Sequence, residues 1–284
     1  MIYANKRGGS AYGGIGWYNN NRQIHVSTTE GSDESGNGSE TNQYETIQHA
    51  INISNSSDTV LVAPGTYTEN INFRGKDIVV ASKTLTTDDK SYVAITIIDG
   101  SSPSKTDSAS VVTFVGNETS AALLLGFTIQ KGTGTSYNRI SDRKVGGGIF
   151  VEESSPKLKH LHITNNKNTI QYGGGIFFGY KSYASLEYST VDNNQAALWG
   201  GGIGVFSSAH VKLDSVLIKN NKSVSGGGYA NPKATNAELR DVRVMSNEAT
   251  DFGGGIYIGG QGWNYSKLYN ILVSENSANI KGGG

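Results

Sequence analysis

A triple glycine recurs six times in the second half of this chain, at almost one interval. It stands at Gly146–Gly148, Gly173–Gly175, Gly200–Gly202, Gly226–Gly228, Gly253–Gly255 and Gly282–Gly284, the first glycines being 27, 27, 26, 27 and 29 residues apart. A fixed period of this length marks a solenoid, in which one small unit cannot bury its apolar side alone and stacks on its copies. A second pattern runs in phase. Leucine follows each of the first five triplets, at Leu158, Leu186, Leu213, Leu239 and Leu268. Three residues on come Leu161, Ser189, Val216, Val242 and Ile271, and five on come Ile163, Val191, Ile218, Val244 and Val273. Eight on, the column is all asparagine: Asn166, Asn194, Asn221, Asn247 and Asn276. Leu124, Phe127, Ile129 and Gly132 form an earlier, degenerate turn.

Each triplet leads into a short run of period two, such as Ile149-Phe150-Val151 or Ile256-Tyr257-Ile258. The leucine column belongs to a second short strand, and Leu161-His162-Ile163 with its equivalents to a third. Three strands per turn, each parallel to its copy about 4.8 Å away, give a triangular prism. No coil carries an apolar period of 3.6 over ten residues, so a helix-bearing repeat is excluded. The predicted fold is all-β: a right-handed three-sided parallel β-helix with coils of about 27 residues. Stacked asparagines would bond amide to amide along the axis, and Asn and Gly both tolerate left-handed corners. The triplets are not phosphate loops, because no Lys-Ser/Thr and no long helix follows them.

A solenoid exposes its core at each end and needs a cover. Tyr44 to Ser54 places Ile47, Ala50, Ile51 and Ser54 on one helical face, with Thr41 or Asn42 as cap. We read it as a short N-terminal capping helix over Val60, Val62 and Ile71. Strands are predicted at 58–63, 71–73, 78–80, 95–98 and 111–114. The expected organisation is a linker or upstream tail over 1–22 and one β-helix domain over 23–284. Within that domain, 23–110 form the cap and first coils and 111–284 the triple-glycine coils. The chain stops on Gly282–Gly284, where a strand should begin, so a fragment is expected, fraying at its C-terminal coil and prone to end-to-end self-association.

The segment TIQHAINISNSSDTVLVAPGTYTENINFRGKDIVV resembles the opening of the pectin-lyase-like β-helix superfamily. The later coils, with Ile163 to Asn166, Val191 to Asn194, Ile218 to Asn221, Val244 to Asn247 and Val273 to Asn276 alternating with GGGI-like runs, resemble the polymorphic outer-membrane protein repeat. That repeat has an aromatic where Ile or Val stands here. The resemblance implies a bacterial secreted or cell-surface β-helix, and in its enzymatic members clustered acids on one outward face.

No such cluster is evident. Asp88-Asp89 reads as a solvated loop. In the column after leucine, Lys159, Glu187, Asp214, Arg240 and Tyr269, Lys159 neighbours Glu187 and Asp214 neighbours Arg240, and Asp192 neighbours Lys219 in another column, which reads as cross-coil ion pairing. His160 and His162, two apart, would share a face but lack further ligands. Accordingly no catalytic residue, metal site or cofactor is assigned. The candidate ligand-binding residues are aromatic: Phe150, Phe177 and Tyr257 in the outward column after the glycines, with Tyr180, Trp199 and Trp263 nearby. Lys plus Arg and Asp plus Glu balance at 24 each, which offers no basic field for nucleic acid. No apolar run is long enough for a membrane helix, and cysteine is absent. The expected function is a non-enzymatic, extracellular stalk or adhesin-like surface for polysaccharide or a surface protein, the alternative being a polysaccharide lyase or esterase.

Overall fold

The structure, a computed structural model, describes residues 21–141, 143–168, 171–233, 235–261 and 265–283. Most of the expected tail over 1–22 lies outside them. Arg22 does not: its backbone N–H and its guanidinium bond Asp58.

Three long sheets wind in sequence order, each strand parallel to its equivalent one turn away. The leucine sheet has nine strands, from Gln23–Val26 and Thr59–Val62 through Lys157–Lys159 to Lys267–Tyr269. Its register aligns Leu124, Leu158, Leu186, Leu213, Leu239 and Leu268. A valine sheet of eight strands aligns Ile129, Ile163, Val191, Ile218, Val244 and Val273. The seven-stranded post-glycine sheet stacks Ile71, Val112, Ile149, Ile176, Ile203, Tyr229 and Ile256. Apart from Leu268 in the last turn, these inward columns form one continuous apolar core. A feature not foreseen is a fourth, narrow sheet of five strands, beginning at Lys167–Asn168 and Gln195–Ala196, between the asparagines and the glycines.

The asparagine ladder has the predicted geometry. Asn194 Nδ2 donates to Asn221 Oδ1 at 3.0 Å and to the Ile163 carbonyl, while Asn194 Oδ1 accepts from the backbone and side-chain amides of Asn166. The ladder continues through Asn247 to Asn276. The left-handed corner falls one residue earlier than expected, at Asn165, Asn193, Asn220, Ser246 and Glu275. This places each ladder asparagine just past the bend, where its amide points inward. The glycines close the turn. A Cβ on Gly174 would lie 2.5 Å from the carbonyl oxygens of Gln195 and Gly201, so no larger residue fits between stacked corners.

The N-terminal cover is a helix, α1 (Ile47–Ile53), shorter than predicted and capped by Thr46. Tyr44 instead bridges to Val26 and packs on His49, and Asp33 accepts the Glu45 and Thr46 amides, so the chain enters the helix later. The buried face is the predicted one. α1 packs against strands Gln23–Val26, Thr59–Val62 and Ile71–Asn72. Both of its ends are held by charge. Glu69 accepts the Ile47 and Gln48 amides at 2.9 and 2.8 Å, and Lys76 Nζ donates to the carbonyls of Ile51, Asn52 and Ser54. Burial, with Arg74 nearby, lowers the Lys76 pKa.

Candidate functional site

A residue standing outside the prism wall repeats once per turn, so outward columns are the natural place to seek a site. The position three before each leucine reads Ser155, Tyr183, His210, Asn236 and Tyr265. Two residues on, still outward because strand side chains alternate, stand Lys157, Ser185, Lys212, Glu238 and Lys267, aligned turn by turn. These two columns line a groove of about 770 Å³ over the leucine sheet. Tyr183 and Tyr265 are 54% and 62% exposed, large fractions for aromatic rings in a folded chain. Tyr183 stacks on His210 with ring centroids 4.6 Å apart and planes 25° apart, and the Asn236 amide nitrogen is 3.3 Å from both imidazole nitrogens. Glu238 pairs with Arg240 on its own strand at 3.3 Å. The groove thus offers flat aromatic faces beside a row of hydrogen-bonding and cationic groups.

The six aromatics expected from the sequence lie elsewhere. Phe150 and Phe177 do point outward from the post-glycine sheet, but they are buried, which corrects the expectation of an exposed column. They join Tyr137, Val145, Tyr172 and Phe206 in a second apolar cluster. The cover is a small antiparallel sheet of Ser108–Ala109, Gly134–Tyr137 and Arg143–Val145. Tyr137 stands edge-on to both phenylalanines, 5.4 and 5.6 Å between centroids, and its hydroxyl accepts the Tyr180 amide. Burial raises the Tyr137 pKa well above the ordinary phenol value. Trp199 is half-buried against Tyr172 at 5.0 Å, at the edge of the same cluster. Tyr180 is half-buried beneath the Arg139 guanidinium, 4.3 Å from its ring centre. Tyr257, half-buried, stands beside Ala230 and outside the cluster. Trp263 falls outside the described residues.

The charged columns divide similarly. Lys159 meets Glu187 and Lys219 meets Asp192, each at 3.9 Å, as expected of neighbouring opposite charges. Arg240 does not meet Asp214; it turns to Glu238 and to the Tyr269 ring, 4.8 Å away. His160 and His162 do not share a face, because His160 is itself the left-handed corner between two sheets. His160 stacks on Tyr188, and burial, with Lys90 and Lys159 close by, lowers its pKa. His162 Nε2 is 3.0 Å from Asp192, whose pKa is lowered: burial raises it, and the hydrogen bonds from His162 and Thr164 outweigh that. Asp88 and Asp89 lie in an exposed turn, Asp88 paired with Lys90. Among the described residues no three His, Asp or Glu side chains gather closely enough to hold a metal ion.

The groove was missed because its chemistry is spread over five turns. Its sequence trace is the column three before leucine, Ser155, Tyr183, His210, Asn236 and Tyr265, where tyrosine recurs only once and no residue type holds on successive turns.

Comparison with known proteins agrees with the fold. The family described as right handed beta helix region matches residues 85–278. No curated protein sequence matches. Among solved structures, pectate lyase Pel9A superimposes with a TM-score of 0.50 at 14% identity, covering 92% of this chain and 78% of that one. A pectin methylesterase from carrot gives 0.48 at 12% identity, covering 93% and 85%.

Proposed function

Since the chain belongs to the right-handed β-helix family, a rigid prism whose outer faces are free to carry sites, we propose that it is a carbohydrate-binding solenoid that holds a glycan in the groove over its leucine sheet. The observation that carries this reading is the exposed pair Tyr183 and Tyr265 in one column with His210 and Asn236. Sugar rings present apolar C–H faces that stack on aromatic rings, and their hydroxyls take up amide and imidazole groups. Binding to a set of soluble glycans by calorimetry tests it: Tyr183→Ala and Tyr265→Ala should each abolish most of the affinity, with the thermal midpoint unchanged. Wild-type affinity retained in both variants would sink the reading.

We take binding, rather than cleavage, as the role, and a position outside the cell as a stalk or adhesin-like module. The carboxylate and the imidazole of the groove are already engaged, Glu238 with Arg240 and His210 with Tyr183 and Asn236. The second reading, a polysaccharide lyase or esterase, is favoured by one observation: His210 and Glu238 stand on adjacent turns of the groove. Ultraviolet absorbance of unsaturated uronates and release of methanol, followed with purified protein, decide between them. Either product at catalytic turnover would establish the second reading, and surface labelling of intact cells checks the location.

A further inference from the structure

We infer that the groove selects a linear polysaccharide carrying one negative charge on every second sugar. This rests on the glycan-binding reading above and specifies its ligand.

The basis is the rhythm of the second column. Lys157, Ser185, Lys212, Glu238 and Lys267 are in register on five successive turns. The ammonium groups therefore recur every second turn, a separation of roughly 9–10 Å along the axis. All three lysines are exposed. Among the described residues none of the three pairs with a carboxylate, whereas Lys159, Lys219 and Lys222 on other columns do. The three ammonium groups thus stand without a salt bridge beside the aromatic column, and Glu238, in register between Lys212 and Lys267, is paired with Arg240 instead.

A sugar polymer linked across its rings advances by about one strand spacing per residue. Laid along the solenoid axis, it would bring each sugar opposite one turn. Anionic groups on alternate sugars then each meet a lysine. The intervening neutral sugars face Ser185 and Glu238, which accept from hydroxyl or amide N–H groups. A polymer charged on every sugar would set one anion against Glu238, a like-charge contact that works against binding. A neutral polymer would forgo the lysines altogether. The groove spans the turns of Tyr183 and Tyr265, so both rings lie along the same ligand.

The test uses the full chain and three oligosaccharides of equal length. These are hyaluronan, in which uronate and N-acetylated sugar alternate; oligogalacturonate, charged on every sugar; and a neutral cello-oligosaccharide. Calorimetry at low and high salt should show hyaluronan binding about tenfold more tightly than either other probe at low salt, and losing that advantage as salt rises. Lys212→Gln and Lys267→Gln should each weaken it about threefold, the scale of an exposed ion pair, with Lys159→Gln unchanged. Glu238→Gln should improve oligogalacturonate binding selectively. Equal or tighter binding of the neutral or fully charged probe overturns the inference and leaves the glycan-binding reading standing. If no probe binds to protein with an intact melting transition, both fall.

Discussion

Asparagine at a solenoid corner does two tasks with one side chain. The carbonyl oxygen of Asn221 receives both amides of Asn194, and its own amide reaches back to the Val191 carbonyl. The buried side-chain amide and oxygen of each such asparagine are thereby satisfied inside the prism, where water is excluded. Asn194→Leu should leave the Asn166 amide and the Ile163 carbonyl without their partner and lower stability by about 1–3 kcal/mol per orphaned group. Thermal midpoints equal to those of the exposed control Lys181→Ala would show that the ladder is not carrying the corner. Asp99 makes the analogous case for charge. Burial raises its pKa, but Lys131, Ser101 and Gln130 hold it down to about 2. The folded value lies below the unfolded one of about 3.9, so its stabilisation is complete above that value and is lost as pH falls through about 2. The midpoint difference between wild type and Asp99→Asn should therefore be constant at neutral pH and shrink steadily below pH 4. A difference that grows in acid would contradict the assignment.

Helix α1 is too short to be stable alone, and it exists because the first turn supplies its ends. Glu69 occupies the amino end and Lys76 the carboxyl end, both from the coil that the helix covers. Lys76→Met keeps the aliphatic stem but leaves three carbonyls without the ammonium, at a cost of about 1–3 kcal/mol. Hydrogen exchange at the Ala50 and Ser54 amides should accelerate well before that of the central coils. Unchanged protection there would mean that apolar packing alone holds the cap. The helical face was legible, since Ile47, Ala50, Ile51 and Ser54 share a side of any helix. Its start was not, because it depends on Asp33 and Glu69, which lie 13 and 22 residues away along the chain from the amides they accept. The sheet covering Phe150 and Phe177 was illegible for a related reason. Two of its three strands, Gly134–Tyr137 and Arg143–Val145, sit between a degenerate turn and the first triplet and repeat nothing. An outward aromatic column therefore read as exposed when another segment packs on it.

For the whole molecule, stacking fixes stability as well as shape. Each turn is buried by its two neighbours, and the contrast along the leucine column is direct: Leu239 is fully buried, while Leu268 in the last turn is 46% exposed. Amides around Ile271 to Asn276 should exchange faster than those around Ile218 to Asn221 in a verified monomer. Equal protection would mean that the last coil is held by something beyond nearest-neighbour contacts. The fold was legible because glycine triplets and asparagines obey close-packing demands that few residues meet. The groove was not, because an outer face demands only solubility and leaves each column free to carry whatever function requires.

That freedom has a consequence for the charge row. Strict register makes one complete coil a removable unit. Excising residues 173–199 would join Tyr172 to Gly200, restore a triplet at the right interval and let Asn166 meet Asn221. The prism would survive one storey shorter, yet Lys157 would now stand directly beneath Lys212, about one strand spacing away. Within this architecture the beat of an outward pattern can be rewritten by counting turns, without altering any single side chain.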